Sequence, residues 1–388
     1  MKKLLLFLIP VISFSQANTE VYLFDISKEG ATWKLTNEKN ISNNKGYDSQ
    51  PHFYDDNTIL FASNRNGETD IAAYNITTGN ATFINNTPNG GEYSPQRIPS
   101  SKNVSAVRLD KDGKQRFYKY NFTTGQDTEL IKDLVVAYPM WYDKNTLISS
   151  VIVNDSLQLV ISDVKKKTNT TISKNIGRSF HKIPNSKLVS FVKKSKDDWE
   201  VWSLNPTTKE TKFITRTGIT QDICWLPDGS LLIPYENTLF KFNPKKDQKW
   251  SLIHLFENEE INNISRVTVN KDGTKLALVA EVSPRHIVQK QLDAYNNRDI
   301  DAFLATYTDN VKVYSYPNEL RYEGKAKMRE AYTSFFNNTP DLHCKILKRI
   351  VSGNKVIDEE YVTANGENFK AVAIYEITNG KISAVRFL

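Results

Sequence analysis

The sequence predicts an all-β propeller of about six blades, closed by strands from both ends of its segment, followed by an α+β cone domain of three helices on a curved antiparallel sheet. Three observations carry this expectation. A strand–turn–strand unit recurs at roughly 40 to 45 residues, the length of a four-stranded propeller blade. The repeat region starts and stops on complementary half-units. At Ser283-Pro284 the apolar spacing changes from alternation to helical, and later returns to strands.

The chain opens on Met1-Lys2-Lys3, an apolar run from Leu4 to Phe14, and the small residues Ser13, Ser15 and Ala17. That is the pattern of a secretory signal, here residues 1–17, with the apolar run shorter than the roughly 20 residues of a spanning helix. No Cys follows the run, so the thiol a lipoprotein signal needs is missing, and no later window replaces it as a span. The expected product is exported, periplasmic or extracellular. Two cysteines, Cys224 and Cys344, lie far apart, so no disulfide framework is expected, and the 39% apolar and 24% charged composition suits two packed cores. The formal net charge of +7 is spread along the chain apart from Lys165-Lys166-Lys167, which reads as solvated surface and argues against nucleic acid as a partner.

The clearest repeat runs Pro51-His52-Phe53, Thr58 to Ala62, Ser63-Asn64-Arg65, Asp70-Ile71, then Tyr74-Asn75-Ile76-Thr77-Thr78-Gly79. A second copy carries Ser94-Pro95-Gln96, Asn103 to Val107 and Phe117 to Tyr120, and ends on Asn121-Phe122-Thr123-Thr124-Gly125. Copies with weaker similarity begin at Tyr138, Lys187 and Trp225. Val267 to Leu278 begins a sixth unit and stops, while Glu20 to Ile26 and Thr32 to Leu35 read as outer strands with no inner ones. Joining these ends closes a ring over residues 18–284 and removes exposed sheet edges.

The turns Ser63-Asn64-Arg65-Asn66-Gly67, Leu226-Pro227-Asp228-Gly229 and Asn270-Lys271-Asp272-Gly273 resemble the PD40 repeats of TolB-like propellers. The resemblance covers about two thirds of the chain and implies a rigid protein-binding disc, a fold that also occurs beside peptidase domains. The peptidase partner is missing: no Gly-x-Ser-x-Gly elbow is present. The five histidines, His52, His181, His254, His286 and His343, show no metal-ligand spacing, so no metal and no cofactor is expected. Ser27 to Trp33 has the wrong acid and spacing for the Asp-box turn of sialidases and reads as an ordinary blade turn.

Residues 285–388 read differently. Ile287, Val288, Leu292 and Tyr295 recur at helical spacing, Asn296 to Asp299 breaks the helix, and Ile300, Phe303, Leu304 and Tyr307 begin another with Asp299 as N-cap. A strand at Val311 to Tyr314 and a helix at Lys325 to Phe336 precede four strands divided by Ser352-Gly353-Asn354, Asn365-Gly366 and Asn379-Gly380, each a hairpin signal. Asn297 to Phe303, Tyr307 to Val311, Tyr322 to Lys325 and Ala371 to Ile382 resemble the SnoaL-like branch of the nuclear transport factor 2 superfamily, which includes ketosteroid isomerases and polyketide cyclases.

The isomerase chemistry wants a carboxylate base, a tyrosine and a protonated aspartic acid on the enolate oxygen. By resemblance Tyr295 stands at the tyrosine, but the base position falls at Ser315 and the oxyanion position at Ala373, so that activity is not expected. Aromatic character and expected inward location make Tyr295, Tyr316, Phe335, His343, Tyr361, Phe369 and Tyr375 the candidate ligand-binding set. Tyr295, His343 and Glu360 are the catalytic candidates, with His343 and Glu360 as an acid/base pair across strands. Asp358-Glu359-Glu360 otherwise reads as a partly solvated strand end.

The leading function class is an exported, non-catalytic binding or scaffold protein, its propeller face engaging a protein or glycan and its cone a small apolar ligand. Superfamily resemblance adds a homodimer through the outer sheet face. The alternatives are a small-molecule isomerase, lyase or hydrolase housed in the cone, and an apolar-ligand carrier or sensor.

Overall fold

The computed structural model describes residues 18–388 apart from Ala31, Lys45, Asn89, Glu259 and Asn379. The signal-peptide reading of residues 1–17 and the first residue of the Asn379-Gly380 turn lie outside the described residues. The chain divides into two compact units, Thr19–Gln289 on one side and Lys290–Ile350 with Asn354–Leu388 on the other. The division falls inside helix α1 (Pro284–Asn297), a few residues beyond the Pro284 boundary expected from the sequence.

The first unit is six four-stranded antiparallel sheets. Five take four consecutive strands each. The sixth joins both ends of the segment in the order Thr32–Asn40, Thr19–Glu29, Lys275–Glu281, Asn262–Val269. The register Val21↔Val279, Tyr22↔Leu278, Leu23↔Ala277 zips the closing pair together. Each sheet's first strand touches that of the next blade, all the way round the ring. The expected closure is therefore present.

Alternation explains why a ring forms. In Thr58–Arg65, Ile59 and Phe61 point into one cluster of buried side chains and Leu60 into another. Six such clusters lie one between every pair of neighbouring blades, so each sheet is apolar on both faces and cannot be satisfied alone. Two tryptophans pair their indole N–H groups across these seams. The Trp141 indole N–H donates to Ser105 Oγ of the preceding blade at 2.8 Å, and Trp225 does the same to Ser190 Oγ at 2.8 Å. Within the second blade, Tyr120 donates to the buried Glu92 carboxylate at 2.8 Å.

The recurring Asn-x-Thr-Thr-Gly turn has a local cause. Asn75 Oδ1 accepts from Thr78 N at 2.8 Å and Asn121 Oδ1 from Thr124 N at 3.0 Å, while Gly79 and Gly125 take φ of 73° and 70° and return their N–H to the Asn carbonyls. In the fourth blade Asn205 builds the same turn, but Lys209 occupies the glycine position at φ 66°.

The second unit begins within α1 and continues with α2 (Ile300–Ala305) and α3 (Lys325–Asn338). Asp299 caps α2 as expected, accepting from Asp301 N and Ala302 N. Tyr307 does not extend that helix. It opens strand Tyr307–Ser315, because Thr306 closes α2 by turning its own N–H back onto Phe303 and Leu304. The six-stranded sheet runs Glu319–Glu323, Tyr307–Ser315, Lys381–Phe387, Glu367–Thr378, Lys355–Ala364, His343–Ser352. The second and third of these pair in parallel, where an antiparallel sheet was expected throughout. Chain joins them by a long crossover that includes α3, the connection a parallel pair requires. Asn365 and Gly366, at φ 54° and 80°, make the expected two-residue hairpin.

A Cβ on Gly125 would stand 2.4 Å from the Ile84 carbonyl oxygen, whereas Lys209 bears only the left-handed strain. Chemical denaturation of the full chain should therefore show Gly125→Ala destabilised by at least about 1 kcal/mol and Lys209→Gly unchanged or more stable by up to about 1 kcal/mol.

Candidate functional site

In the cone, register decides which residues share the inner face. Ser315 lies opposite Phe387, Phe387 opposite Ala373, and Ala373 opposite Asp358, so these four form one row across the sheet. Glu360, opposite Ala371, stands one step along the same face. Ser315 and Ala373, the empty isomerase positions, are thus row-mates of a carboxylate, Asp358, that the sequence reading placed on a solvated strand end. Asp358 and Glu360 are in fact buried, at 1% and 7% exposure, and only Glu359 faces outward.

The two carboxylates differ in what they can do. Asp358 is gripped by the buried Arg349 guanidinium, Nε to Oδ1 at 2.7 Å and Nη2 to Oδ2 at 2.6 Å, a bidentate pair that occupies both carboxylate oxygens. Glu360 accepts one hydrogen bond from the Tyr375 phenol at 3.0 Å. Burial pushes its carboxyl up to about 7, against the pull of Tyr375 and with the push of the Asp358 charge. It is therefore part protonated near neutrality. Tyr375 itself is buried, and burial beside Glu360 raises its phenol. Burial likewise pushes the Cys344 thiol up to about 12, leaving it unreactive.

Above this face sits an aromatic cluster. The half-buried Tyr295 ring lies 5.6 Å from Phe336 and 6.4 Å from both Tyr332 and Phe335 between centroids. Tyr295 and Phe335 belong to this cluster, and Tyr375 is buried on the sheet face with Glu360. Phe369 is on the inner face, opposite Val362, but 49% exposed at its rim. Three of the expected residues do not line an interior. Tyr361, opposite Lys370, is on the outer face, one residue out of phase with Glu360. Tyr316, just past its strand, is 60% exposed. His343 is exposed and its strand neighbour Cys344 buried, so the His343–Glu360 pair does not form; Tyr375 takes that place.

The propeller has a second site. A cavity of about 820 Å³ opens at the centre of the ring, where all six first strands converge. Equivalent positions one blade apart are Gln50, Ser94, Tyr138, Arg178, Asp222 and Arg266. Neighbours in this ring bond across a 44-residue step. Ser94 N donates to Gln50 Oε1 at 2.7 Å, Arg178 makes two bonds to Asp222 at 3.0 and 2.6 Å, and Arg266 Nη1 reaches the same carboxylate at 3.0 Å. Arg266 also lies 5.9 Å from the Tyr138 ring across the channel. His52 and His181 line the cavity, and burial pushes both down to about 4, so they are neutral at pH 7. The sequence reading missed this ring, although its members stand at matching places in successive repeats.

Residues 288–385 match the family model of the SnoaL-like domain. A TolB structure from Agrobacterium tumefaciens superposes with a TM-score of 0.54 at 11% identity, covering 69% of this chain and 99% of that one. A cystatin-fold protein from Novosphingobium aromaticivorans is 27% identical over 28% of this chain and 98% of its own, with a TM-score of 0.27. An NTF2-like protein of unknown function from Cytophaga hutchinsonii is 18% identical over 28% and 91%, with a TM-score of 0.25. No curated protein matches. The chain thus carries a TolB-like propeller followed by a SnoaL-like domain. Among the described residues no helix is long and apolar enough to cross a membrane.

The raised Glu360 carboxyl has a thermodynamic sign. Its folded value of about 7 lies above its ordinary 4.5, so the folded cone holds a proton the unfolded chain has released. Its contribution is fully present below pH 4.5 and is lost as the pH rises through about 7, by about 3 kcal/mol in all. Hydrogen exchange on strand Lys355–Ala364 of the full chain should therefore speed up between pH 4.5 and 7, beyond the intrinsic rate increase. Glu360→Gln should abolish that extra acceleration.

Proposed function

We propose that the protein is an exported binding protein whose propeller face engages a protein and whose cone holds a small, largely apolar ligand without transforming it. The observation that carries the cone reading is the state of its two buried carboxyls. Asp358 is locked by Arg349, and among the described residues Glu360 has one hydrogen bond, from a tyrosine whose phenol is itself hard to ionise. A carboxyl near its point of titration, beside Tyr295, Phe335 and Tyr375, suits one polar group on an apolar molecule. Export rests on residues 1–17, and the protein-binding role of the propeller on its rigid ring and large axial cavity.

One observation favours a second reading. A carboxyl at about 7 is poised to donate and accept a proton at neutral pH, which is what a general acid/base in an isomerase, lyase or hydrolase needs. Glu360 would then be the group that touches the substrate.

Native mass spectrometry of the full-length gene product, purified from the periplasm or medium, tests both export and the cone. The expected chain begins near Asn18 and retains a small molecule that Glu360→Gln binds more weakly, by about tenfold. The retained molecule should leave unchanged after incubation with wild-type protein. A cytoplasmic chain retaining residues 1–17 overturns export, and conversion of the molecule by wild type but not by Glu360→Gln overturns the non-catalytic reading in favour of the enzyme.

A further inference from the structure

The axial cavity of the propeller is strongly one-sided in charge. Among its lining residues are five cationic side chains, Arg97, Arg178, Lys182, Arg266 and Lys271, against one carboxylate, Asp222. The histidines add nothing at pH 7, because both are held neutral. A chain with formal charge of +7 over 388 residues thus concentrates an excess of four positive charges around one opening. Low-dielectric walls focus such a field and attract anions into the cleft.

The deepest of these cations are not fully used. Arg178 commits Nε and Nη2 to Asp222 and the Ser265 carbonyl, and Arg266 commits Nη1 to the same two partners. Among the described residues no acceptor meets Arg178 Nη1 or Arg266 Nε and Nη2. Two guanidiniums share one carboxylate, which orients both planes and leaves a net positive charge with donors to spare. Side-chain exposures of 26% and 17% keep them within reach of the cavity. Arg97 differs: its Nε and Nη1 are spent on the Ser101 and Tyr54 carbonyls, so it contributes field more than contact.

From this we infer that the propeller cavity binds an acidic peptide segment, seating one of its carboxylates on the open edges of Arg178 and Arg266 while Lys182 and Lys271 meet further acidic side chains at the rim. The inference rests on the protein-binding reading above and names the chemistry of that partner. About 820 Å³ is far more than one inorganic anion fills, and is ample for several side chains. An acidic glycan shares the carboxylates but wants exposed aromatic platforms. Here Trp141 and Trp225 are 5% and 7% exposed, with their indole N–H groups committed to serines of the preceding blade.

Selection of a random dodecapeptide library on the immobilised full-length protein, against a bare-matrix control, decides the matter. The expected pool is enriched in Asp and Glu. Its best member should bind at least about tenfold more weakly to Arg266→Gln or Arg178→Gln, and more weakly in about 0.5 M than in about 0.05 M salt. Because a buried arginine variant can perturb folding, Lys271→Glu at the exposed rim serves as a second variant and should also weaken binding. Peptides selected without acidic bias, and indifferent to all three variants, overturn the charge inference while leaving protein binding standing. An empty pool overturns both. Polygalacturonate or inorganic phosphate binding at Arg266 with no peptide selected replaces the peptide with another anion.

Discussion

The pairing of Thr19–Glu29 with Lys275–Glu281 is the contact on which the propeller depends. Without it the ring is an open stack with two raw ends, because every blade is apolar on both faces. The closing sheet covers both neighbours at once: Tyr22, Phe24 and Ile26 fill the seam toward the fifth blade, Val21 and Leu23 the seam toward the first. A repeat array that cannot cap its ends with polar residues has to close on itself.

Closure also makes the axial cavity. Equivalent residues of the six blades are brought to one circle only when the ring is complete; adjacent blades then pair Arg178, Asp222 and Arg266, and Arg266 faces Tyr138 across the axis. The same geometry sets the cost of what is buried there. His52 and His181 give up their charge, whereas the arginines cannot and instead share Asp222. A disc that neutralises its histidines and keeps its guanidiniums is built to present positive charge along its axis.

The cone resolves the same problem in another way. Of two carboxyls on its inner face, one is held by a bidentate arginine and the other is kept near its point of titration by burial beside a phenol. Asp358 and Glu360, two residues apart on one strand, meet different partners, a guanidinium for the first and a phenol for the second.

The sequence by itself determined the architecture, because repeats, alternation and turn chemistry are local. The Asn-x-Thr-Thr-Gly turns are legible since Asn75 and Asn121 bond their own neighbours and glycine alone takes the positive φ freely. The matching half-units at Glu20 and Val267 announced closure, and Asp299 its own helix cap. Sites were less legible. Charged residues at Asp358 and Glu360 disguised a strand face that is buried, since only the partners Arg349 and Tyr375, supplied by other strands, make burial tolerable. His343 and Tyr361 looked equally eligible because an alternating strand offers two faces and register with its neighbours decides between them. Arg178, Asp222 and Arg266 stand 44 residues apart from one to the next, and only the packing of successive blades makes them neighbours.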